Sequence, residues 1–174
     1  LVGCSMADMI DGSYDAIDLF GDEMRIINEK LPEAKSFDEI KNIIETFLLQ
    51  KAKTVRDLLP FDLAMLQLVK HHGNISMEQL ATLSCLSLRQ FERVSKERIG
   101  IPPKLFARLT RFSKAYRLRE KSQDMSWTEI AYECGYFDQM HLIRDFKQFA
   151  GVTPRIIEKE LEALPVRMQA SLRL

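Results

Sequence analysis

Residues 126–154 read SWTEIAYECGYFDQMHLIRDFKQFAGVTP, and this stretch predicts a short helix, a tight turn and a longer helix. Its opening serine is followed three residues later by Glu129, and this capping box marks the start of the short helix. Gly135 opens the turn, Asp138 caps the longer helix, and Gly151 suits the left-handed position that ends it. A short helix, a turn of a few residues and a longer helix form the outline of a helix-turn-helix.

The same pattern occurs about 50 residues earlier in the chain. Residues 76–103 read SMEQLATLSCLSLRQFERVSKERIGIPP, with one capping box at Ser76 and a second at Ser87. The matching positions are Ser76 and Ser126, Leu80-Ala81 and Ile130-Ala131, Ser87 and Asp138, Gly100 and Gly151, and Pro103 and Pro154. A duplication of this kind is far less expected by chance than a single helix-turn-helix pattern. We therefore predict two helix-turn-helix repeats, at about residues 76–99 and 127–150.

A single long helix is predicted between the two repeats, at about residues 103–121. Pro102 and Pro103 open it, because proline is tolerated in the first turn of a helix. About 18 helical residues span roughly 27 Å at about 1.5 Å per residue. Successive major-groove faces lie about 34 Å apart on one side of a DNA duplex. A linker of this length, with the bodies it joins, suits two recognition helices in adjacent grooves.

The residues before Pro60 predict a helical hairpin. Apolar positions three and four apart run from about Tyr14 to Leu31, and Ser36 with Glu39 then forms a capping box that opens a second helix. The apolar face of such a hairpin needs a partner, which is the rest of this chain, a domain upstream of it or a second copy. Helix formers dominate the whole chain and strand-like alternation is nearly absent, so the predicted fold class is all-α.

Charge is distributed unevenly along the chain. The 174 residues carry 25 Lys and Arg against 25 Asp and Glu, so the net charge is zero. Residues 1–59 hold 7 basic and 12 acidic residues, whereas residues 60–174 hold 18 basic and 13 acidic residues. A basic half attracts phosphate, and this attraction weakens as salt is added. An excess of this size favours nucleic acid only slightly.

Several kinds of site are missing from the sequence. Cys4, Cys85 and Cys134 are far apart and form no C-x-x-C pair, so we interpret them as reduced, small apolar side chains. His71 and His72 are adjacent, and neighbours in a helix point about 100° apart, so they do not suit one metal ion. No apolar run approaches the roughly 18 residues of a membrane span. Without a nucleophile beside a base, a metal cluster or a glycine-rich phosphate loop, we expect no catalytic residues, metal or cofactor.

One face of the longer helix in the first repeat is polar. Its residues Arg89, Glu92, Arg93 and Lys96 follow the spacing i, i+3, i+4, i+7 and form one stripe. Such a stripe is most often a solvated face, and Glu92 could simply pair with Lys96. Here the stripe starts in the first turn of the second helix, which is the part of a helix-turn-helix that enters the major groove. This position favours contact with DNA.

Both repeats resemble the AraC/XylS family of bacterial transcription regulators. The first carries I-S-M-E-Q-L-A and L-S-x-R-Q-F-E-R, and the second carries W-T-E-I-A-Y-E-C-G-Y-F-D-Q-M-H followed by F-A-G-V-T-P. The second stretch is close to the family signature, and the resemblance covers about residues 60–160. It implies a sequence-specific regulator that inserts two recognition helices into adjacent major grooves of double-stranded promoter DNA.

The resemblance also implies which side chains contact DNA. The expected base contacts are Arg89, Glu92 and Arg93 in the first recognition helix, and Gln139, Met140, His141 and Arg144 in the second. Arginine suits guanine edges, glutamine suits adenine, and glutamate suits the cytosine amino group. The expected backbone contacts, which position the protein without specifying a sequence, are Ser87, Lys96, Lys104, Arg108 and Lys147.

The resemblance also predicts how the chain is organised. Residues 60–165 would form the DNA-binding domain, residues 1–59 a helical connector or dimerisation segment, and residues 166–174 a tail. The chain begins at Leu1 and not at Met, so we expect a sensor domain upstream of it. A homodimer through residues 14–52, a contact with RNA polymerase and a cytoplasmic location are further expectations.

Two positions depart from the family pattern. Ser95 lies where the family usually has a large apolar residue, often Phe, which predicts looser packing under the first recognition helix unless Val94 compensates. Met140 lies where a small polar residue is common, and it would contact a thymine methyl or reduce the polar contacts. These departures leave a second hypothesis open, a helical protein-interaction module of the same architecture that has lost DNA binding.

Overall fold

A computed structural model describes residues 5–10, 12–53, 57–122 and 124–163. Cys4 and the predicted tail at 166–174 lie outside these residues. The described residues are helical and contain no strand, which confirms the predicted all-α fold. The helices are α1 (Ala16–Phe20), α2 (Asp22–Lys30), α3 (Phe37–Ala52), α4 (Pro60–Lys70), α5 (Met77–Leu83), α6 (Leu88–Ile99), α7 (Pro103–Lys121), α8 (Trp127–Glu133), α9 (Gln139–Ala150) and α10 (Pro154–Ala163). None of these described helices has the length and apolar character needed to cross a membrane.

The chain divides into two compact bodies. The hairpin body contains the described residues before Pro60 together with Glu92–Ile101. The main body contains Pro60–Phe91 together with Pro102 and the described residues after it. The division falls within α6, so the first turn of this helix belongs to the main body and its remainder to the hairpin body.

The hairpin body contains the predicted pair of helical arms. The Phe20 ring meets the Phe47 ring edge to face, with 5.7 Å between centroids, and Lys51 Nζ lies 2.8 Å from the Glu23 carboxylate. The first arm is not the single helix that the periodicity predicted. Gly21 has φ +68° and ψ −147°, which separates α1 from α2. Glycine adopts positive φ at little cost, and a pattern of apolar spacing does not register a break of one residue.

The cap of α3 is also slightly different from the prediction. Ser36 Oγ accepts a hydrogen bond from the Glu39 backbone N–H at 3.2 Å, as expected. The Glu39 carboxylate, however, accepts from the Lys35 N–H at 2.6 Å and not from that of Ser36. The return half of the capping box is therefore displaced by one residue.

The remainder of α6 contains the departure noted in the sequence. Ser95 is fully buried, and its Oγ donates a hydrogen bond to the Ile101 carbonyl at 2.8 Å. A buried hydroxyl with a partner replaces the packing of a large apolar side chain. The structure thus gives Ser95 a specific contact where the sequence predicted looseness.

The main body is built around aromatic residues of the second repeat. The Phe146 ring of α9 lies 4.8 Å from Phe112 of α7 and 5.2 Å from Trp127 of α8, both edge to face. The first repeat has its own contact, where Phe61 of α4 packs on Phe91 with 5.4 Å between ring centroids. The aromatic side chains of Phe91, Trp127, Tyr136 and Phe146 are all buried.

The two turns repeat the same backbone hydrogen bonds 50 residues apart. In the first repeat the N–H groups of Ser84, Cys85 and Leu86 donate to the carbonyls of Leu80, Thr82 and Ala81, and in the second those of Cys134, Gly135 and Tyr136 donate to Ile130, Tyr132 and Ala131. The middle residue of each turn is left-handed, with φ +55° at Cys85 and +75° at Gly135. Both short helices have 7 residues and both longer helices have 12. The predicted duplication is therefore present in the backbone.

Candidate nucleic-acid interface

The start of α9 is fixed by Asp138. Its Oδ1 accepts a hydrogen bond from the His141 backbone N–H at 2.8 Å and lies 2.7 Å from His141 Nδ1. The backbone bond is the main reason why the pKa of Asp138 lies below its ordinary value, and the imidazole adds a smaller effect. The cap therefore fixes the first turn of α9 and orients the His141 ring, whose Nε2 lies on the opposite edge from Asp138.

The outer face of α9 carries the side chains that the sequence assigned to the second recognition helix. The exposed members are Gln139, Met140, His141, Arg144 and Lys147. Leu142 and Phe146, on the other face, are buried. Gln139 Oε1 accepts from Thr128 Oγ1 at 3.2 Å, which connects the start of α9 to α8. The structure therefore gathers all five predicted residues on one helix and leaves them accessible.

Phe137 is a surface residue that the sequence reasoning missed, since it was placed only in the turn. It is 85% exposed, and its ring meets the His141 ring edge to face at 5.9 Å. Its neighbour Tyr136 is buried. The sequence signal for an exposed ring is the adjacent aromatic pair of Tyr136 and Phe137. Successive side chains point in different directions, and only Tyr136 is buried in the core. An exposed aromatic ring beside a helix N-terminus is suited to apolar contact with a thymine methyl.

The start of α6 has the predicted capping box. Gln90 N–H donates to Ser87 Oγ at 3.3 Å, and the Ser87 N–H donates to Gln90 Oε1 at 2.9 Å. Arg89 in this first turn is exposed, as are the predicted residues further along α6, Glu92, Arg93 and Lys96. Arg93 pairs with Glu97 across 3.9 Å, and both side chains are exposed, so this pair contributes little and exchanges easily for another partner.

Three arginines of α7 contact the interior of the main body. Each guanidinium lies 5.3 to 5.4 Å from the centre of an aromatic ring, Arg108 over Phe149, Arg111 over Tyr136 and Arg119 over Trp127. Such cation–π contacts stabilise a fold when the guanidinium is partly desolvated. Much of the basic character of the linker helix is therefore used within the protein.

Arg108 illustrates the consequence for the predicted site. Its Nε and Nη2 donate to Asp145 Oδ1 at 3.0 and 2.7 Å, and Nη2 also donates to Gln148 Oε1 at 2.6 Å. Asp145 is buried, so it needs this charged partner. Arg108 therefore joins α7 to α9 in this structure, and the phosphate contact predicted for it stays a prediction that DNA-binding measurements test. Lys104, four residues earlier, is exposed.

The two described cysteines have different surroundings. Cys134 is fully buried, and burial raises the pKa of its thiol to about 11. Cys85 is exposed in the left-handed turn of the first repeat, so the sequence interpretation as a small apolar side chain suits Cys134 better. The described residues contain no group of three or more His, Cys, Asp or Glu placed to hold a metal ion.

Residues 80–160 match the family model described as a helix-turn-helix domain. An AraC-type regulator of Chromobacterium violaceum has a similar fold, with a TM-score of 0.52 at 22% identity over 56% of this chain and 88% of that one. The HTH-type transcriptional activator RhaS of Salmonella arizonae is 35% identical over 91 residues. Residues 80–160 therefore form a helix-turn-helix domain that is similar to those of AraC-type regulators, and we call it the AraC-type domain.

The match covers only part of the length of these relatives. The alignment with RhaS of Salmonella arizonae covers 52% of this chain but 32% of that protein, and RhaS of Escherichia fergusonii is 35% identical over 89 residues with 51% and 32% covered. The chain therefore spans about a third of the length of these relatives. The DNA-binding domain of AdpA, solved with a target DNA, matches with a TM-score of 0.57 at 27% identity over 61% of this chain and 96% of that one.

Proposed function

We propose that the AraC-type domain is the sequence-specific DNA-binding part of a transcription regulator. In this proposal the starts of α6 and α9 enter adjacent major grooves of double-stranded promoter DNA. The observation that carries the proposal is the duplicated geometry, in which each longer helix is capped at its start and exposes polar side chains there. The AdpA domain bound to its target DNA and the activator name of RhaS support the same function.

The exposed residues divide into two roles. The proposed base contacts are Arg89, Glu92 and Arg93 from α6, and Gln139, Met140, His141 and Arg144 from α9. Arginine and glutamine can form paired hydrogen bonds with guanine and adenine edges, and Met140 can pack against a thymine methyl. The proposed phosphate and backbone contacts are Ser87, Lys96, Lys104 and Lys147.

We extend the proposal to a homodimer through residues 14–52. Large apolar side chains on α3 support it, since Phe37, Leu48 and Leu49 are 77%, 57% and 66% exposed. Sedimentation equilibrium of the chain and of a variant with Leu48 and Leu49 replaced by Ser tests this part. A contact with RNA polymerase stays a prediction, tested by transcription from the cognate promoter in a purified system.

Selection of bound sequences from a random pool of double-stranded DNA tests the main proposal. We expect enrichment of one site with two separated conserved segments, each read by one recognition helix. Replacing Arg89 or Arg144 with Ala should weaken binding to that site about tenfold or more, whereas Ala at the exposed Arg117 of α7 should not. Folded protein that enriches no sequence at moderate salt would refute the proposal and favour the protein-interaction module.

A further inference from the structure

The loop between α4 and α5 contacts the turn of the second repeat within the main body. Asn74 lies in this loop, and its Nδ2 donates a hydrogen bond to the Cys134 carbonyl at 3.0 Å. A Cβ atom added to Gly135 would lie only 2.5 to 2.6 Å from the amide atoms of Asn74. The amide group therefore rests directly on the glycine, with no room for a larger residue.

The loop that carries Asn74 has a defined conformation. His72 and Gly73 both have positive φ, +51° and +78°, and the Gly73 N–H donates to the Leu68 carbonyl at 2.9 Å. A Cβ atom on Gly73 would overlap the Ala107 carbonyl, so the loop lies against the backbone of α7. One side of the loop thus packs against the linker helix α7, while Asn74 contacts the second repeat.

Arg111 of α7 joins the two sides of this contact. Its Nη2 donates to the Gly73 carbonyl at 3.2 Å, and its guanidinium lies 5.3 Å from the centre of the Tyr136 ring. Tyr136 is buried and directly follows Gly135. We call Asn74, Arg111, Gly135 and Tyr136 the clamp.

We propose that the clamp fixes the offset between the starts of the two recognition helices, with Asn74 and Arg111 as its positioning residues. Phe61 of α4 packs on Phe91 in the first turn of α6, while the turn that holds Tyr136 leads directly into the cap of α9. A continuous path of contacts therefore runs from the start of α6 through α4 and the clamp to the start of α9. This inference rests on the proposed DNA binding.

A fixed offset has a measurable consequence for the DNA. One base pair inserted between the two subsites moves one subsite by about 3.4 Å and turns it by about 34° relative to the other. Two rigidly held helices cannot follow this movement, so one of them loses contacts with its bases. We expect the affinity of the wild-type chain to fall about 30-fold, comparable to the loss of a base-pair contact.

The test uses the full chain, the operator selected from the random pool and the same operator with one base pair inserted. Asn74→Ala removes the amide, and Ser113→Ala, at an exposed position of α7 outside the proposed DNA and dimer contacts, is the control. The wild type and the control should both show the penalty of about 30-fold. Asn74→Ala should show a penalty below about fivefold, because the loosened second repeat can follow its subsite.

Arg111→Lys provides a second, independent variant should Asn74→Ala unfold. Lysine keeps the charge and a donor for the Gly73 carbonyl but loses the stacked guanidinium, so the spacing penalty should be intermediate. Arg117→Lys is its control, and thermal unfolding verifies that each variant is folded. A folded clamp variant that keeps the full penalty would overturn the inference alone. Wild-type protein that binds no DNA specifically would overturn the proposed function together with the inference.

Discussion

Ser95 is a buried residue whose hydroxyl donates a hydrogen bond to the Ile101 carbonyl. Alanine at this position would remove that donor, and a lost hydrogen bond at a buried site costs about 1 kcal/mol. We expect Ser95→Ala to lower the free energy of unfolding by about this amount in urea titrations. Replacing Ser95 with phenylalanine, the usual family residue, should lower the free energy of unfolding by about 1–3 kcal/mol. The neighbouring side chains would have to move to admit a ring at this fully buried position.

The control for Ser95 is Ser113→Ala, since Ser113 is exposed on α7. Equal loss of stability in both alanine variants would show that the hydrogen bond contributes nothing. A gain in stability with phenylalanine would show that the site is loosely packed, as the departure from the family pattern predicted. The sequence could identify Ser95 as unusual, but it could not supply the acceptor, because Ile101 lies beyond the end of the helix.

Asp138 caps the start of α9, and its pKa makes the stability of this helix depend on pH. The His141 N–H holds the pKa of Asp138 below its unfolded value of 3.8. The charged cap therefore contributes fully above about pH 3.8 and is lost as the pH falls through the lower value in the folded protein. We expect the melting temperature of wild type to exceed that of Asp138→Asn at pH 6, with the difference shrinking below pH 3.8.

Circular dichroism melts between about pH 2 and 7 measure this difference. Asp124→Asn is the control, because Asp124 is exposed and close in the sequence but lies outside any helix cap. A difference that grows in acid would contradict the assignment of the charged form as the stabilising one.

Arg108 connects two elements, the linker helix and the second recognition helix. Removing it leaves the buried carboxylate of Asp145 without its charged partner. Breaking a buried ion pair destabilises a fold less when one partner is partly exposed, and the Arg108 side chain is 37% exposed. We therefore expect Arg108→Ala to lower the free energy of unfolding by about 2 kcal/mol. Chemical denaturation measures it. Arg117→Ala, on the same helix but exposed, should cost little, and replacing both Arg108 and Asp145 with Leu should recover most of the loss.

Local elements were predictable because their signals are local. The capping boxes at Ser76, Ser87 and Ser126 join residues three apart, and the sequence displays both partners. The internal role of the linker arginines was not predictable, because Arg108 and Asp145 are 37 residues apart. A basic helix face looks the same in a sequence whether it contacts phosphate or an aromatic ring. The fold was therefore predicted in outline, while the contact between Arg108 and Asp145 and the exposure of Phe137 were not predicted.

Across the whole molecule the net charge is zero, and the basic residues have two different roles. Lys104 and Arg108 lie one turn apart on α7, yet the first is exposed and the second is paired with α9. Each phosphate that a lysine neutralises contributes about 0.9 to the slope of log affinity against log salt. Lys104→Gln should therefore reduce the slope by about 0.9 and weaken binding equally on all operator variants.

The paired arginine gives the contrasting result. Arg108→Gln should leave the salt slope unchanged, provided that binding is measured at a temperature where thermal unfolding shows the variant to be folded. Arg144→Ala should instead change the preference at one operator position by about tenfold or more, because a base contact carries sequence information and a phosphate contact does not. Titrations of labelled operator at several salt concentrations separate the three variants. A slope reduced by Arg108→Gln as much as by Lys104→Gln would place Arg108 at the DNA backbone after all, and the contact with Asp145 would then be one that DNA displaces.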